Sequence, residues 1–515
     1  MRVPLTVGDF LQRAAAVYPD RVAVIDEPGT PGSFGSITYR ELDSRARGMA
    51  VALDELGIAF GERVAIVSPN AARFAVSFYG VSGYGRVLVP INYRLGPEEI
   101  RYIVEHSGAT VLLVDPESEP TVAGIDVKHR FVLDGKSDLS LFEPSPSAEP
   151  SQWEPDEEST ASINYTSGTT ARPKGVQLTH RNCWLNATVF GWHVNVSDRD
   201  VYMHTLPMFH CNGWGMPYAV TAMGVPQVVV RKIDGEEILR RIEAHGVTLL
   251  CGAPAVVASV LDAAKARRES GQAVPGGGTV RIVVAGAPPP SKTIERVQAE
   301  LGWEFIQIYG LTETSPLLTI NRKRSEWDGL DPAELAKRLS LAGAPALGVQ
   351  MRASAEGEVL ARSNHVFAGY WQQPEESSKV LADGWFHTGD EGRVTDENYT
   401  VISDRKKDVI ISGGENISSV EVEDCLYQHA AVAEVAVIGV PSEKWGETVK
   451  ALVVTRAGQE ATEAELIEFC RGRLAHFKCP TSIEFRDALA RTATGKLQKF
   501  KLRNPYWEGF EKRVN

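Results

Sequence analysis

Cysteine is scarce in this chain. Six are spread over 515 residues and none forms a C-x-x-C pair, so neither a zinc ribbon nor a dithiol redox motif is suggested. Thiols scattered singly fit a reducing compartment, and a cytoplasmic location is expected. Long apolar runs are lacking too. Stretches such as Val220–Val230 are broken by Gly and Pro and are too short to cross a bilayer, so no membrane insertion is expected. Residues Met1 to Phe10 show no basic stretch ahead of an apolar core, so no secretory signal is expected. Basic charge is in deficit, with 54 Lys and Arg against 66 Asp and Glu and a net charge of -12. That argues against a nucleic-acid partner, while one local basic site can still hold a phosphate. What is present is an ordinary globular composition, 43% apolar and 23% charged, with material for about three core units.

Helical and strand-like periodicities alternate from the start. Leu42 to Leu56, Phe74 to Ser82 and Glu98 to Glu105 carry helical spacing. Between them Arg63 to Ser68, Val87 to Pro90 and Thr110 to Val114 read as short buried strands. This rhythm predicts parallel sheets covered by helices, an α/β fold. Asp134 to Thr160 is rich in Ser, Pro, Glu and Asp and reads as a surface connector. Buried strands resume at Val247–Cys251 and Val280–Ala285. From about Val349 short strands and turns take over. Beyond the charge cluster Asp404-Arg405-Lys406-Lys407-Asp408, helices at Ser419–His429 and Glu463–Leu474 combine with strands at Val432–Val440, Thr448–Thr455 and Ser482–Phe485 into a compact α+β unit. A domain boundary is placed in that cluster.

The segment Tyr165-Thr166-Ser167-Gly168-Thr169-Thr170-Ala171-Arg172-Pro173-Lys174-Gly175-Val176 packs small hydroxyl residues, glycines and a lysine between an apolar strand and a helix-like stretch. Such a loop can wrap phosphates with backbone N–H groups, hydroxyls and one mobile cation. It is not a Walker A loop, because Pro173 stands where the second glycine is needed. The string resembles the phosphate-loop signature of the adenylate-forming family, which includes acyl-CoA synthetases, luciferases and carrier-loading adenylation domains. Further segments resemble that family's motifs in its order. They are Leu206-Pro207-Met208-Phe209-His210, Tyr309-Gly310-Leu311-Thr312-Glu313-Thr314, Trp385-Phe386-His387-Thr388-Gly389-Asp390, the charge cluster at 404–408, Ile411-Ser412-Gly413-Gly414-Glu415-Asn416 and Arg491-Thr492-Ala493-Thr494-Gly495-Lys496.

The resemblance implies a large N-terminal domain, residues 1–403, of two packed helix-covered sheets plus a smaller barrel-like sheet. A hinge at 404–408 and a small mobile α+β C-terminal domain, 409–515, would follow. It implies ATP, Mg²⁺ and CoA as cofactors, and a carboxylic acid activated as its acyl-adenylate before transfer to CoA. ATP would be held by Thr166, Ser167, Gly168, Thr169, Thr170, Lys174, Ala287, Tyr309, Asp390 and Arg405. The residue types suit these tasks. An acceptor-only carboxylate at Asp390 fits ribose hydroxyls, and Arg405 is a fixed charge. Tyr309 can stack on adenine, and Thr312 can donate to the α-phosphate. Glu313 is a hard oxygen ligand for Mg²⁺ shared with phosphate. Lys496 would bridge the carboxylate and the phosphate, making Lys496, Thr312 and Glu313 the catalytic set, and Lys407 would be the hinge residue. Gly413 and Gly414 would let the backbone approach the pantetheine arm of CoA, with Trp445 and Phe477 lining its tunnel. His210, Trp214 and Ser315 would border the acyl pocket, Gly213 and Gly215 leaving room around Trp214.

A carboxylate is already nucleophilic at neutral pH, which explains why no Ser-His-Asp or Cys-His set is needed; positioning and charge neutralisation suffice. His204, His210 and Cys211 lie close in sequence, but their spacing matches no familiar zinc site. Two departures from the family pattern stand out. Ala171 occupies a position commonly held by Gly, and Gln350 to Leu360 is shorter than the corresponding hairpin. Carrier-protein loading remains an alternative to CoA transfer, as does a non-catalytic nucleotide or ligand binder. Medium-chain, aryl and polycyclic acids remain open as substrates, and so does the oligomeric state, a homodimer included.

Overall fold

The computed structural model describes the chain except residues 144–146, 148, 167–171, 287–288, 406–407, 413–414, 443–444, 492–496 and 509–515, and the side chains of 405 and 416. Its first sheet has seven strands in the order Gly369–Tyr370, Lys174–Thr179, Thr160–Thr166, Val87–Ile91, Arg63–Val67, Ala109–Val114 and His129–Val132. The central strands are parallel, and the hairpin Thr160–Thr166/Lys174–Thr179 is antiparallel. A second sheet has nine strands and centres on the parallel set Tyr202–His204, Leu249–Gly252, Arg281–Val284 and Glu304–Gly310. Period-two alternation builds the layers. Val64 and Ile66 face a core shared by both sheets, whereas Ala65 and Val67 face the outer helix Pro97–Ser107. The shared core also takes in Tyr39, Met49, Phe74, Phe78, Tyr202 and Tyr218, so helices Tyr39–Glu55 and Ala72–Gly80 are sandwiched between the sheets. The Tyr39–Glu55 helix starts where Thr38 and Glu41 form a capping box that satisfies otherwise orphaned N–H groups.

A smaller antiparallel sheet follows, built around the long strand Trp385–Val394 with Glu358–Arg362 and Thr400–Arg405 beside it. The C-terminal domain has its own five-stranded sheet, Ile410 to Phe485, and its own core around Val422, Leu426, Val435, Val437 and Leu466. The fold is thus the expected α/β one, a large N-terminal domain and a smaller α+β C-terminal domain.

Three local readings change. Asp134 to Thr160 is not wholly a surface connector. Leu141 and Phe142 are buried, and Asp138 pairs with the buried Arg73. The phosphate-loop segment lies between two antiparallel strands, and the following helix begins only at His180, capped by Thr179. Where only short strands and turns were expected beyond Val349, Trp385–Val394 is a ten-residue strand, which places Asp390 in mid-strand.

Candidate active site

The strands on either side of residues 167–173 pair with each other: Thr166 lies opposite Lys174 and Tyr165 opposite Gly175. Gly175 is required by proximity, since a Cβ there would come within 2.9 Å of Ile163 and 3.0 Å of Tyr165. Ser167, Gly168, Thr169, Thr170 and Ala171 lie outside the described residues. Lys174 is mostly buried; its Nζ is 2.6 Å from Glu376 Oε2 and 4.9 Å from the centre of the Tyr370 ring. The Lys174 hydrogen bond, reinforced by Lys379, holds the Glu376 carboxyl down at about 2.

Tyr309 ends the strand Glu304–Gly310. Its hydroxyl donates to Asp390 Oδ2 at 2.6 Å, and Asp390 in turn stands opposite Arg405 in the neighbouring strand. Three expected nucleotide residues are therefore brought together, with Arg405 placed by its backbone. The Tyr309 ring is anchored through its hydroxyl.

Thr312 to Thr314 forms a single tight turn. Glu313 Oε1 accepts from Tyr370 Oη at 2.9 Å, and its backbone carbonyl accepts from the Phe367 N–H at 2.9 Å. Ser315 is buried with φ 72°, and its hydroxyl donates to the His365 carbonyl at 2.9 Å. Its hydroxyl is thereby committed, so only its backbone is left to face the expected acyl pocket.

His210 is half-buried and leads into a left-handed stretch, Cys211 to Gly215, with φ of 48°, 52°, 59°, 60° and 75°. Left-handed backbone at Cys211, Asn212 and Trp214 costs energy and persists only where surroundings impose it. Here Asn212 Nδ2 donates to the buried Ser162 Oγ at 2.8 Å. Trp214 is 4% exposed. Gly213 and Gly215 do not leave room around it, as the sequence suggested. A Cβ on Gly215 would lie 2.5 Å from Asn186 Nδ2, so glycine serves the backbone conformation and the close approach of helix His180–His193.

Sequence reasoning missed two buried asparagines. Asn186 donates from Nδ2 to the Trp214 carbonyl at 3.1 Å and accepts the Leu317 N–H at 3.1 Å, tying the two walls of the expected acyl pocket together. Asn70 donates to the His204 and Leu206 carbonyls at 2.8 and 3.0 Å and accepts from the Met208 N–H at 2.7 Å, fixing the segment before His210. The signal for Asn186 was a polar residue between Cys183 and Phe190 on the apolar face of the helix. His204 turns to Gln227 Oε1 at 2.9 Å, and burial pushes its imidazole down to about 4, so it is neutral at pH 7.

In the C-terminal domain Ser412 pairs with Gly446, which sets Trp445 beside the strand end that leads to residue 413. Trp445 and Phe477 are each 49% exposed. The charge cluster is gripped at both ends: Asp404 Oδ2 accepts the Ser419 N–H at 3.0 Å, and Asp408 Oδ1 accepts from Arg503 at 2.9 Å. Asp424 accepts the Ser291 N–H at 3.1 Å, joining the C-terminal domain to the helix that follows 286–288. Ala287, Lys407, Gly413, Gly414 and Lys496 lie outside the described residues. Among the described residues no helix is long and apolar enough to cross a membrane.

The chain matches the family model of AMP-binding enzymes over residues 11–371 and that of the AMP-binding enzyme C-terminal domain over residues 421–496. It is 36% identical to 4-hydroxybutyrate–CoA ligase 2 of Metallosphaera sedula, covering 96% of this chain and 93% of that one. It is 35% identical to 2-methylpropanoate–CoA ligase CCL4 of Humulus lupulus, covering 97% and 95%. The ATP-bound crystal structure of MatB from Rhodopseudomonas palustris superposes with a TM-score of 0.85 at 28% identity, covering 98% of this chain and 100% of that one.

Proposed function

Because this chain belongs to the AMP-binding enzymes and is an ATP- and CoA-dependent, AMP-forming carboxylate–CoA ligase, we propose that its substrate is a short aliphatic acid bound between the turn 210–215 and the segment 315–317. The observation that carries this reading is Trp214, a large ring buried in a turn that Asn186 ties to Leu317. In our reading a bulky side chain held there caps a short pocket rather than lining a wide one. The two relatives support the same size class, since both are named for four-carbon acids, shorter than the acids left open by the sequence.

The acid's carboxylate attacks the α-phosphorus of ATP. A carboxyl-oxygen-to-phosphorus bond forms, pyrophosphate leaves, and no proton has to be removed. The CoA thiol then attacks the acyl carbon, loses its proton, and AMP departs. In our reading Thr166 to Thr170 and Lys174 cradle the triphosphate. Ala287 and Tyr309 flank adenine, and Asp390 and Arg405 hold the ribose. Thr312 donates to the α-phosphate, and Lys496 stabilises the charge that builds on phosphate and carboxylate. Glu313 offers one hard oxygen. Among the described residues no three His, Cys, Asp or Glu are placed to hold a metal. This donor set fits a Mg²⁺ whose other ligands are phosphate oxygens and water. When bound, the ion would neutralise phosphate charge.

The test of the acid is Trp214→Ala. Relative kcat/KM for longer acids over four-carbon acids should rise roughly tenfold or more, since each methylene accepted is worth about 1–3 kcal/mol, while the ATP requirement remains. An unchanged rank order across an acid panel would place the pocket elsewhere.

The two half-reactions require Lys496 and the Gly413-Gly414 loop in turn, so we assign the hinge to 404–408, between domains 1–403 and 409–515, with Lys407 as the pivot. Gly413, Gly414, Trp445 and Phe477 would then meet the pantetheine arm. Lys407→Pro fixes φ near -65°. It should spare adenylation and lower thioester formation by about tenfold or more, measured as separate half-reactions; normal transfer would move the pivot. The scattered thiols support a cytoplasmic location, which a fusion reporter checks.

A further inference from the structure

We infer that Tyr370 is a positioning residue for ATP activation, its hydroxyl fixing the Glu313 carboxylate and its ring supporting the Lys174 ammonium. The inference rests on the roles proposed above for Glu313 and Lys174. Neither the family motifs read from the sequence nor the chemistry of the substrates calls for this tyrosine. It is identified by what it touches.

Tyr370 belongs to the two-residue strand Gly369–Tyr370 at the edge of the seven-stranded sheet, paired with Val176 just beyond Lys174. It is held firmly. Its N–H donates to Ser377 Oγ at 2.8 Å, the next N–H, of Trp371, donates to the Gly175 carbonyl at 2.7 Å, and the Phe367 ring packs edge-on at 4.8 Å. Only 8% of the residue is exposed. From this fixed base the hydroxyl reaches Glu313 Oε1 at 2.9 Å, and the ring face lies 4.9 Å from Lys174 Nζ. A phenol keeps its proton at neutral pH and a carboxylate can only accept, so Tyr370 is the donor in this pair.

A carboxylate pinned through one oxygen has the direction of its second oxygen fixed. A lysine lying on a ring and paired with Glu376 at 2.6 Å is likewise held close to its working place before a triphosphate arrives. Glu313, Tyr370, Lys174 and Glu376 thus form one continuous chain of contacts between the two ATP loops. Preorganisation of this kind lowers the cost of assembling the charged site when ATP enters.

The experiment compares Tyr370→Phe, which keeps the ring, with Tyr370→Leu, which removes it, and uses Glu313→Gln as the control for the site itself. Mn²⁺ binding is followed by electron paramagnetic resonance in the presence of a non-hydrolysable ATP analogue. Analogue affinity without metal and thermal melting are measured alongside. Tyr370→Phe should raise the Mn²⁺ concentration for half-saturation about tenfold, the scale of one hydrogen bond to a charged group. Its metal-free affinity for the analogue should be unchanged. Tyr370→Leu should weaken both. Thioester formation from supplied acyl-adenylate should persist in each variant. If Glu313→Gln loses Mn²⁺ while Tyr370→Phe binds it like the parent, or only melts at a lower temperature, the role of Tyr370 is overturned and that of Glu313 stands. If Glu313→Gln also binds Mn²⁺ like the parent, both assignments fall.

Discussion

Lys496→Ala is expected to lower acyl-adenylate formation by roughly 10²–10³-fold or more, the loss seen when one preorganised charge-stabilising donor is removed. Thioester formation from supplied acyl-adenylate should be largely spared. The reasoning is chemical. In the first half-reaction two anions, a carboxylate and a triphosphate, must be brought together, and negative charge accumulates on the phosphoryl oxygens as pyrophosphate leaves. A lysine that touches both is worth most at that moment. In the second half-reaction the attacked atom is the acyl carbon, the leaving group is AMP, and no second anion has to be forced against the phosphate. Pyrophosphate exchange measures the first step, and mixing purified acyl-adenylate with CoA measures the second. Equal losses in both would remove Lys496 from the role.

Gly310→Ala is expected to be the most damaging single-methyl addition among the described glycines. A Cβ on Gly310 would sit 1.5 Å from the Pro316 carbonyl oxygen, 2.7 Å from its carbon and 3.2 Å from the Leu318 nitrogen. All three are backbone atoms, so no side-chain rotation relieves the overlap. The segment 311–317 would have to move outward as a unit. Pro316's carbonyl accepts from Thr314 Oγ1 at 2.6 Å, Ser315 Oγ donates to the His365 carbonyl, and Leu317 N–H donates to Asn186. Displacement therefore strains the Glu313 turn, the proposed acyl wall and the segment around His365 together. Overpacking in a tight core costs about 1–3 kcal/mol, occasionally more. A lowered melting temperature together with loss of ATP-analogue binding is the expected result. A variant that melts and turns over like the parent would show that the loop yields cheaply.

Much of this candidate site is legible in one dimension. The hydroxyl-rich string at 165–176, the Tyr309–Thr314 segment and Asp390 combine residue types that phosphate, ribose and metal chemistry demand, at spacings set by a single loop or strand. Gly310 and Gly175 stand inside those strings, although the atoms that require them come from elsewhere. The helix and strand rhythm of residues 39 to 114 was equally readable, because period-two and period-3.6 burial are local patterns. Leu141 and Phe142 were not, because a polar, proline-rich context hid a short apolar stretch that only a neighbouring helix could bury.

Periodicity therefore established the α/β architecture, and the resemblance of the ordered motifs to the adenylate-forming family pointed to the chemistry. Folding decided which groups meet. Glu313 finds Tyr370 across 57 residues, Asn186 finds Leu317 across 131, and Lys174 finds Glu376 across 202. The physical reason is that a side-chain hydrogen bond needs positions fixed to a few tenths of an ångström. Over such separations those positions are set by sheet register and helix packing, which no local spacing of residues encodes.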